Sequence, residues 1–189
     1  MNRGIMIICT VAVVCLSGGC WSDTEISNGQ AESIYYEAMD SIDGCELYVF
    51  GNEKYCIQLP QKSVMIDNSA NGINNVYCRL NSDNNENLSI GFSDNTTETH
   101  YTSVDEVKKG FKDSGTEING DIVSFETTDK NGEYSGYKFL VKISDDAYVY
   151  YRMCFEKDTS IGFNSSVSGA DSESLTVIDN CIDSLYVLE

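Results

Sequence analysis

The chain has 189 residues, and 41% of them are hydrophobic, which is enough apolar material for one packed domain. Its 30 Asp and Glu residues outnumber its 12 Lys and Arg residues, so the formal net charge is -18 at pH 7. Because a nucleic-acid-binding surface needs clustered basic side chains to neutralise phosphates, this composition argues against nucleic acid as a partner.

The first 19 residues predict an export signal. Arg3 is the only charged residue among them, and residues 5–16 form an apolar run without a charged side chain. This run is too short to cross a bilayer as a helix, which takes about 20 residues. A basic start, a short apolar run and small residues are typical of a secretory signal.

A cysteine follows the small residues. The stretch Leu16-Ser17-Gly18-Gly19-Cys20 resembles the lipobox of bacterial lipoproteins, which implies cleavage before Cys20 and a diacylglycerol on its thiol. We therefore expect a protein held by lipid on the extracytoplasmic face of the cell membrane, with plain secretion and an uncleaved anchor as alternatives. Loss of Arg3 lowers the 12 basic side chains to 11 against 30 acidic ones, a net charge of -19. Since anionic headgroups repel such a domain, the lipid would be its membrane attachment.

The rest of the chain predicts a tether and one domain. Residues 20–33 carry the lipidated N-terminus and a polar stretch that predicts a flexible tether. We expect a single α+β domain over residues 34–189, because no internal repeat or second linker interrupts it. Its first helix is predicted near residues 31–40, where apolar residues recur on one side.

Strands and a second helix come next. Alternating or continuous apolar runs predict strands over residues 47–50, 55–59, 76–80 and 88–92. The sequence Ser103-Val104-Asp105-Glu106 is a capping box, in which the Ser103 hydroxyl accepts from the Glu106 backbone N–H and the Glu106 carboxylate reaches back. Gly115 is placed to end this helix.

The last third of the chain predicts a meander and a final helix. Strands are expected over residues 121–128, 134–143 and 147–155, and their linkers are too short for a parallel crossover. Residues 156–170, rich in Ser and Gly, predict a loop. A terminal helix follows, with apolar residues at helical spacing: Leu175, Ile178, Ile182 and Leu185.

This order of elements resembles the PsbP-like family. A strand ending in Pro, Tyr55-Cys56-Ile57-Gln58-Leu59-Pro60, precedes further strands, one helix, the meander and the terminal helix Val177-Ile178-Asp179-Asn180-Cys181-Ile182-Asp183-Ser184-Leu185. The resemblance covers residues 45–188 and implies an α/β/α sandwich, a mainly antiparallel sheet with helices packed on it. It also implies a non-enzymatic binding or accessory role without supplying a ligand.

Five cysteines remain once Cys9 and Cys15 leave with the signal and Cys20 is lipidated: Cys45, Cys56, Cys78, Cys154 and Cys181. Because five is odd, at least one thiol stays free or pairs between chains. An exported chain meets a compartment that permits disulfides. Cys45 and Cys56 flank a predicted hairpin, and Cys154 and Cys181 lie on elements expected to pack together, so these are the candidate disulfides. The alternative is that all five are small buried hydrophobic residues.

The sequence offers little for metal binding or catalysis. It contains no C-x-x-C, the spacing typical of zinc ligands. Its one histidine, His100, lies in a polar segment, and no catalytic motif places a partner residue next to it. The acidic stretch from Asp83 resembles the opening of a calcium loop, but Leu88 stands where that loop requires Gly. We therefore expect no metal site, no cofactor and no enzymatic activity.

Tyrosines are the more informative side chains, since the chain has 12 of them and several fall in the meander. Alternation along a strand puts Tyr148 and Tyr150 on one face of the sheet and Tyr151 on the other. These three form a candidate binding surface for a glycan or a partner protein, because Tyr combines apolar area with a hydroxyl. The alternative is that they pack beneath the helices.

The sequence thus predicts a membrane-anchored extracytoplasmic lipoprotein that acts as a non-catalytic binding or accessory module. Its partners would be the membrane, through the lipid, and a protein or small-molecule ligand. An alternative is a lipoprotein that captures divalent cations or small cationic solutes through its carboxylates. A cell-surface hydrolase is the weakest alternative, because no nucleophile, base and orienting residue can be named together.

Overall fold

The computed structural model describes residues 28–80, 87–94, 99–156, 158–169 and 173–188. Three α-helices lie in this part of the chain: α1 (Asn28–Ala38), α2 (Val104–Asp113) and α3 (Glu173–Asp183). The first five strands are β1 (Cys45–Phe50), β2 (Tyr55–Pro60), β3 (Val64–Asp67), β4 (Asn75–Arg79) and β5 (Asn87–Asp94). The other five are β6 (Asp121–Lys130), β7 (Glu133–Lys142), β8 (Tyr148–Glu156), β9 (Thr159–Val167) and β10 (Tyr186–Val187). A short 3-10 helix, Ser69–Asn71, connects β3 to β4.

The strands form two antiparallel sheets. The small sheet has the order β1-β2-β10, and the large sheet has the order β3-β4-β5-β9-β8-β7-β6. The small sheet and α3 share one hydrophobic core with the inner face of the large sheet. Helix α1 packs on the outer side of the small sheet, and α2 packs on the opposite face of the large sheet over β6, β7 and β8. The predicted α+β class, a mainly antiparallel sheet with helices packed on it, is confirmed.

Local signals place α2 and the meander where the sequence predicts them. The Glu106 backbone N–H donates a 3.3 Å hydrogen bond to the Ser103 hydroxyl, and the Glu106 carboxylate accepts a 2.7 Å bond from the Thr102 backbone N–H. Gly115 has a φ of 78°, the left-handed backbone that ends a helix. Strands β6, β7 and β8 follow as consecutive antiparallel neighbours.

The region predicted as a loop over residues 156–170 contains a central strand instead. Strand β9 pairs with β5 on one side and β8 on the other. Its inward residues alternate along the strand and are buried, from Thr159 and Ile161 to Phe163 and Val167. The outward residues are Ser, Gly and Asn, which are also typical of loops. This composition is why the sequence predicted a loop here and not a strand with alternating buried residues.

Helix α1 begins within the stretch predicted as a tether. It starts at Asn28, and Ala31 is 1% exposed and Tyr35 is fully buried, so residues 28–33 belong to the folded part of the chain. The sequence predicted a tether here because most of these residues are polar. Helix α1 nevertheless has one apolar face, which packs on Cys56 and Leu188. Among the described residues, no helix is long and apolar enough to cross a membrane.

Candidate functional site

The predicted tyrosine surface is divided between two environments. Tyr148 and Tyr150 pack into the core beneath α3, and Tyr150 is only 5% exposed. Tyr151 points to the opposite face, where its ring stacks on Phe139 at 4.8 Å and meets Phe111 of α2 edge-on at 6.1 Å. The three side chains therefore do not form one surface, because successive residues of β8 face opposite sides of the sheet.

The cysteines named as disulfide partners carry free thiols. In the β1–β2 hairpin, Cys45 lies opposite Pro60, and Cys56 lies opposite Val49. Cys56 lies four positions from Pro60, the partner of Cys45, so the two cysteines are separated by roughly 13 Å along the strands. A bridge needs Cα atoms within about 7 Å, so this register does not permit one between Cys45 and Cys56.

The second candidate pair lies on separate elements. Cys154 is half-buried on β8, and Cys181 is buried on α3. Burial raises the pKa of the Cys154 thiol to about 11 and that of the Cys181 thiol to about 12, so both stay protonated near neutral pH. Cys20, the predicted lipidation site, lies outside the described residues.

An ion network joins α3 to the inner face of the meander. Asp179 accepts a 2.9 Å hydrogen bond from the Lys138 ammonium and a 3.0 Å bond from the Arg152 guanidinium. The Tyr150 hydroxyl also donates to Asp179, and Arg152 binds Asp183 through its second terminal nitrogen. These contacts fix α3 against β7 and β8.

The network shifts the ionisation of its members. Burial alone would raise the pKa of Asp179, but hydrogen bonds from Tyr150 and Lys138 outweigh it and lower that pKa. Burial, together with the hydrogen bond to Asp179, raises the pKa of Tyr150, which stays protonated. The buried Nε–H of Arg152 has no hydrogen-bond partner among the described residues. Both carboxylates of the network are already bound to Lys138 or Arg152. We therefore interpret the network as stabilising the packing of α3 on the sheet.

A cavity on the opposite face of the large sheet is open. Helix α2 covers β6, β7 and β8, and beyond its edge lies a cavity of about 330 Å³ that we call the trough. Its aromatic and thioether lining comes from α2, β7 and β8: Phe111, Tyr137, Phe139, Tyr151 and Met153. Phe163 of β9 also lines the trough, although its side chain belongs to the core on the inner face of the sheet. The other residues contributed by β5 and β9 are small or polar: Gly91, Ser160, Gly162 and Asn164.

Two glycines pair with each other in the floor of the trough, which is the part formed by β5 and β9. Gly91 of β5 pairs with Gly162 of β9, and Gly162 pairs with Met153 of β8. A Cβ added at Gly91 would meet no atom within 4 Å, and one added at Gly162 would lie 3.3 Å from the flexible end of Met153. Neither glycine has a positive φ, so the backbone conformation does not require glycine here. A glycine inside a strand weakens it, and close approach of a ligand to the backbone is one established reason for its presence.

The side chains around the trough carry no net charge. Arg152 borders it, but its guanidinium lies on the other side of the sheet, bound to Asp179 and Asp183. In the described part of the chain, no cluster of three or more His, Cys, Asp or Glu side chains could hold a metal ion. The geometry of the trough therefore suits a neutral ligand.

The sequence interpretation missed this site because most of its small and polar lining lies on β9, which was predicted as a loop. In the strand β9, the outward residue Gly162 lies opposite Gly91 of β5, and the outward residue Asn164 lies opposite Tyr151 of β8. The signal that would have found the site is the alternation of buried residues between Thr159 and Val167. The predicted tyrosine surface contributed one residue to it, Tyr151.

Comparisons with known proteins show the fold alone. No protein-family model and no curated protein matches the sequence. The solution structure of cyanobacterial PsbP (CyanoP) from Synechocystis sp. PCC 6803 is similar with a TM-score of 0.54 and 16% identity, over 78% of this chain and 95% of that one. The Ran-binding protein Mog1p of Saccharomyces cerevisiae gives a TM-score of 0.49 at 11% identity, over 77% and 96% of the two chains. The likeness to CyanoP shows that the chain has a PsbP-like fold.

Proposed function

We propose that this chain is a lipid-anchored extracytoplasmic protein whose domain is a non-catalytic binding module, with the trough as its binding site. The observation that carries the proposal is the pair of strand-interior glycines, Gly91 and Gly162, beneath an open cavity of about 330 Å³. This volume lies at the lower end of the range for small-molecule sites, about 300–1,000 Å³. The lipobox-like sequence ending at Cys20 supports the anchor.

A binding role fits the lining better than a catalytic one. Ser160 is the hydroxyl-bearing aliphatic side chain of the trough, and the lining includes no His, Asp, Glu or Lys that would activate it. A serine nucleophile needs an adjacent base, and general acid–base chemistry needs a titratable group within hydrogen-bond reach. The Tyr137 and Tyr151 hydroxyls of the lining stay protonated, because burial raises the pKa of each, so neither serves as the base. The lining therefore supplies groups that hold a ligand and no base that would activate Ser160.

The anchor is tested by substituting the predicted lipidation site. Cys20→Ala should release the protein from the membrane fraction into the soluble fraction, because the thiol that would carry the lipid is removed. Cys15→Ala is the matched control, since Cys15 lies in the predicted signal and should leave membrane retention unchanged. Equal membrane retention of both variants would show that Cys20 is not the anchor.

The trough is tested by filling its floor. Because a Cβ at Gly91 meets nothing within 4 Å, Gly91→Ala should stabilise the protein by about 0.4–1 kcal/mol, the effect of restricting the unfolded chain at a permissive site. Urea unfolding measures this difference directly. A loss of stability would mean that the fold itself needs glycine at this position, and Gly91 would then give no support to a binding site in the trough.

A further inference from the structure

We infer that the ligand of the trough is a neutral carbohydrate, bound with the apolar face of a sugar ring against the aromatic wall and its hydroxyls toward the floor. This inference rests on the proposed function, because it names the ligand class of the same site. It depends on three properties of the trough: its access, its apolar wall and its uncharged polar groups.

The pairing of the strands beneath the trough excludes recognition of a peptide by strand addition. Strands β5 and β9, which form the floor, are paired on both sides within the large sheet. Their backbone N–H and C=O groups already serve that sheet, so an extended peptide cannot add as a further strand at this place. The ligand must therefore contact the face of the sheet, where the absence of side chains at Gly91 and Gly162 lets it approach the backbone.

The wall supplies flat apolar surface. Phe111 and Tyr151 are half-buried, and their rings meet edge-on at 6.1 Å on the α2 side of the trough. Tyr151 is held by its stacking on Phe139, with an interplanar angle of 13°. Aromatic rings fixed in this way offer contact area at low cost in conformational entropy. A sugar ring has a face of C–H groups that can lie against such a surface.

The polar groups of the floor can serve hydroxyls and cannot serve a charge. Ser160 offers a hydroxyl, and the exposed Asn164 offers an amide, so each can both donate and accept. A charged ligand would lose hydration here without meeting an opposite charge, which is costly. A purely apolar ligand would bury these two groups without partners, which is also costly. A ligand with one apolar face and several hydroxyls avoids both costs.

The test is a titration of the isotopically labelled protein with defined probes, followed by NMR. The probes are neutral tetrasaccharides of glucose, galactose and N-acetylglucosamine, each to about 10 mM, a range that detects binding with free energies near -3 to -4 kcal/mol. The expected result is saturable shifts of the Gly91 and Gly162 amide resonances with at least one saccharide. N-acetyl-phenylalanine amide serves as an apolar probe without a sugar ring.

Two variants and a control locate the binding. Gly91→Leu fills the trough and should abolish the saccharide shifts, and Asn164→Ala should weaken binding roughly tenfold by removing one or two hydrogen bonds. Gly29→Leu is the matched control, because a Cβ at Gly29 on α1 also meets nothing within 4 Å. This control should bind saccharide as the unaltered protein does.

The outcomes separate this inference from the proposed function. If the phenylalanine amide binds at the trough and no saccharide does, the carbohydrate inference is wrong while the trough remains a binding site. If neither a saccharide nor the phenylalanine amide shifts Gly91 or Gly162, the carbohydrate inference is wrong and the binding role of the trough is contradicted as well. Saccharide shifts that persist in Gly91→Leu would place binding elsewhere and overturn the inference.

Discussion

The Tyr35 hydroxyl of α1 donates a 2.7 Å hydrogen bond to the carbonyl oxygen of Ser184, a residue 149 positions further along the chain. The same hydroxyl accepts a 2.9 Å bond from the side-chain amide of Gln58 on β2. Ser184 in turn accepts a 2.8 Å bond at its hydroxyl from the Gln58 backbone N–H. All three residues are buried, so one polar cluster links α1, β2 and the end of α3.

Removal of the Tyr35 hydroxyl should weaken this link. Tyr35→Phe keeps the ring but leaves the Ser184 carbonyl and the Gln58 amide short of a partner, which should lower the free energy of unfolding by about 1–3 kcal/mol. Urea unfolding followed by circular dichroism measures the change. Tyr36→Phe is the matched control, since Tyr36 is 39% exposed and should change stability little. Equal losses in the two variants would contradict a role for the Tyr35 hydroxyl.

Asp179 should contribute to stability through the ion network. Asp179→Asn removes the charge that Lys138 and Arg152 share, and we expect a loss of about 1–3 kcal/mol, discounted because Asp179 is 27% exposed. Thermal unfolding measures it. Asp145→Asn is the control, because that carboxylate is 98% exposed and its ion pair with Lys142 is screened by solvent. If Asp145→Asn lost as much stability as Asp179→Asn, the loss would come from the change in the net charge of the protein and not from the ion network.

The same carboxylate should make stability depend on pH. The pKa of Asp179 is lowered in the folded protein, so its contribution is complete above its unfolded pKa of about 3.9 and is lost as pH falls through the folded pKa. Burial alone would lower the pKa of Lys138, but the hydrogen bond and the charge of Asp179 together outweigh it and raise that pKa. The contribution of Lys138 is therefore lost only as pH rises above its unfolded pKa of about 10.4. The stability difference between the unaltered protein and Asp179→Asn should therefore be constant from about pH 5 to 9 and shrink below about pH 4. A constant difference down to pH 2 would contradict this assignment.

The buried thiols should react slowly until the protein unfolds. Burial raises the pKa of Cys56 to about 11 and that of Cys78 to about 12, so at pH 8 almost no thiolate is present. Alkylation with iodoacetamide, mapped by mass spectrometry, should modify half-buried Cys45 first and the other two only in denaturant. A Cys78 that remains unmodified in denaturant, and becomes reactive only after reduction, would show that it forms a disulfide.

Local signals predicted much of this fold. The capping box at Ser103, the Gly115 helix end and the meander turns act within a few residues of chain, so the sequence specifies them directly. Strand β9 was missed because its outward Ser, Gly and Asn residues are also typical of loops, and only its neighbours β5 and β8 identify them as one face of a sheet.

The candidate site could not be predicted, because it depends on contacts between residues that are far apart in the sequence. The trough combines Phe111, Tyr151 and Gly91, which lie on α2, β8 and β5, and strand pairing brings them together. The expected Cys45–Cys56 bridge depended on hairpin register, and a turn of four residues places Phe50 opposite Tyr55, which moves the two cysteines apart.

The pairing of β10 with β2 has a consequence for how the protein is made. Tyr186 and Val187 lie opposite Cys56 and Tyr55, so the third strand of the small sheet comes from a distant part of the sequence. During synthesis, the β1–β2 hairpin emerges from the ribosome long before β10 and presents an unpaired edge during that interval. Closing so long a loop makes completion of this sheet a late event in folding, so that edge stays unpaired until the last residues of the chain are available.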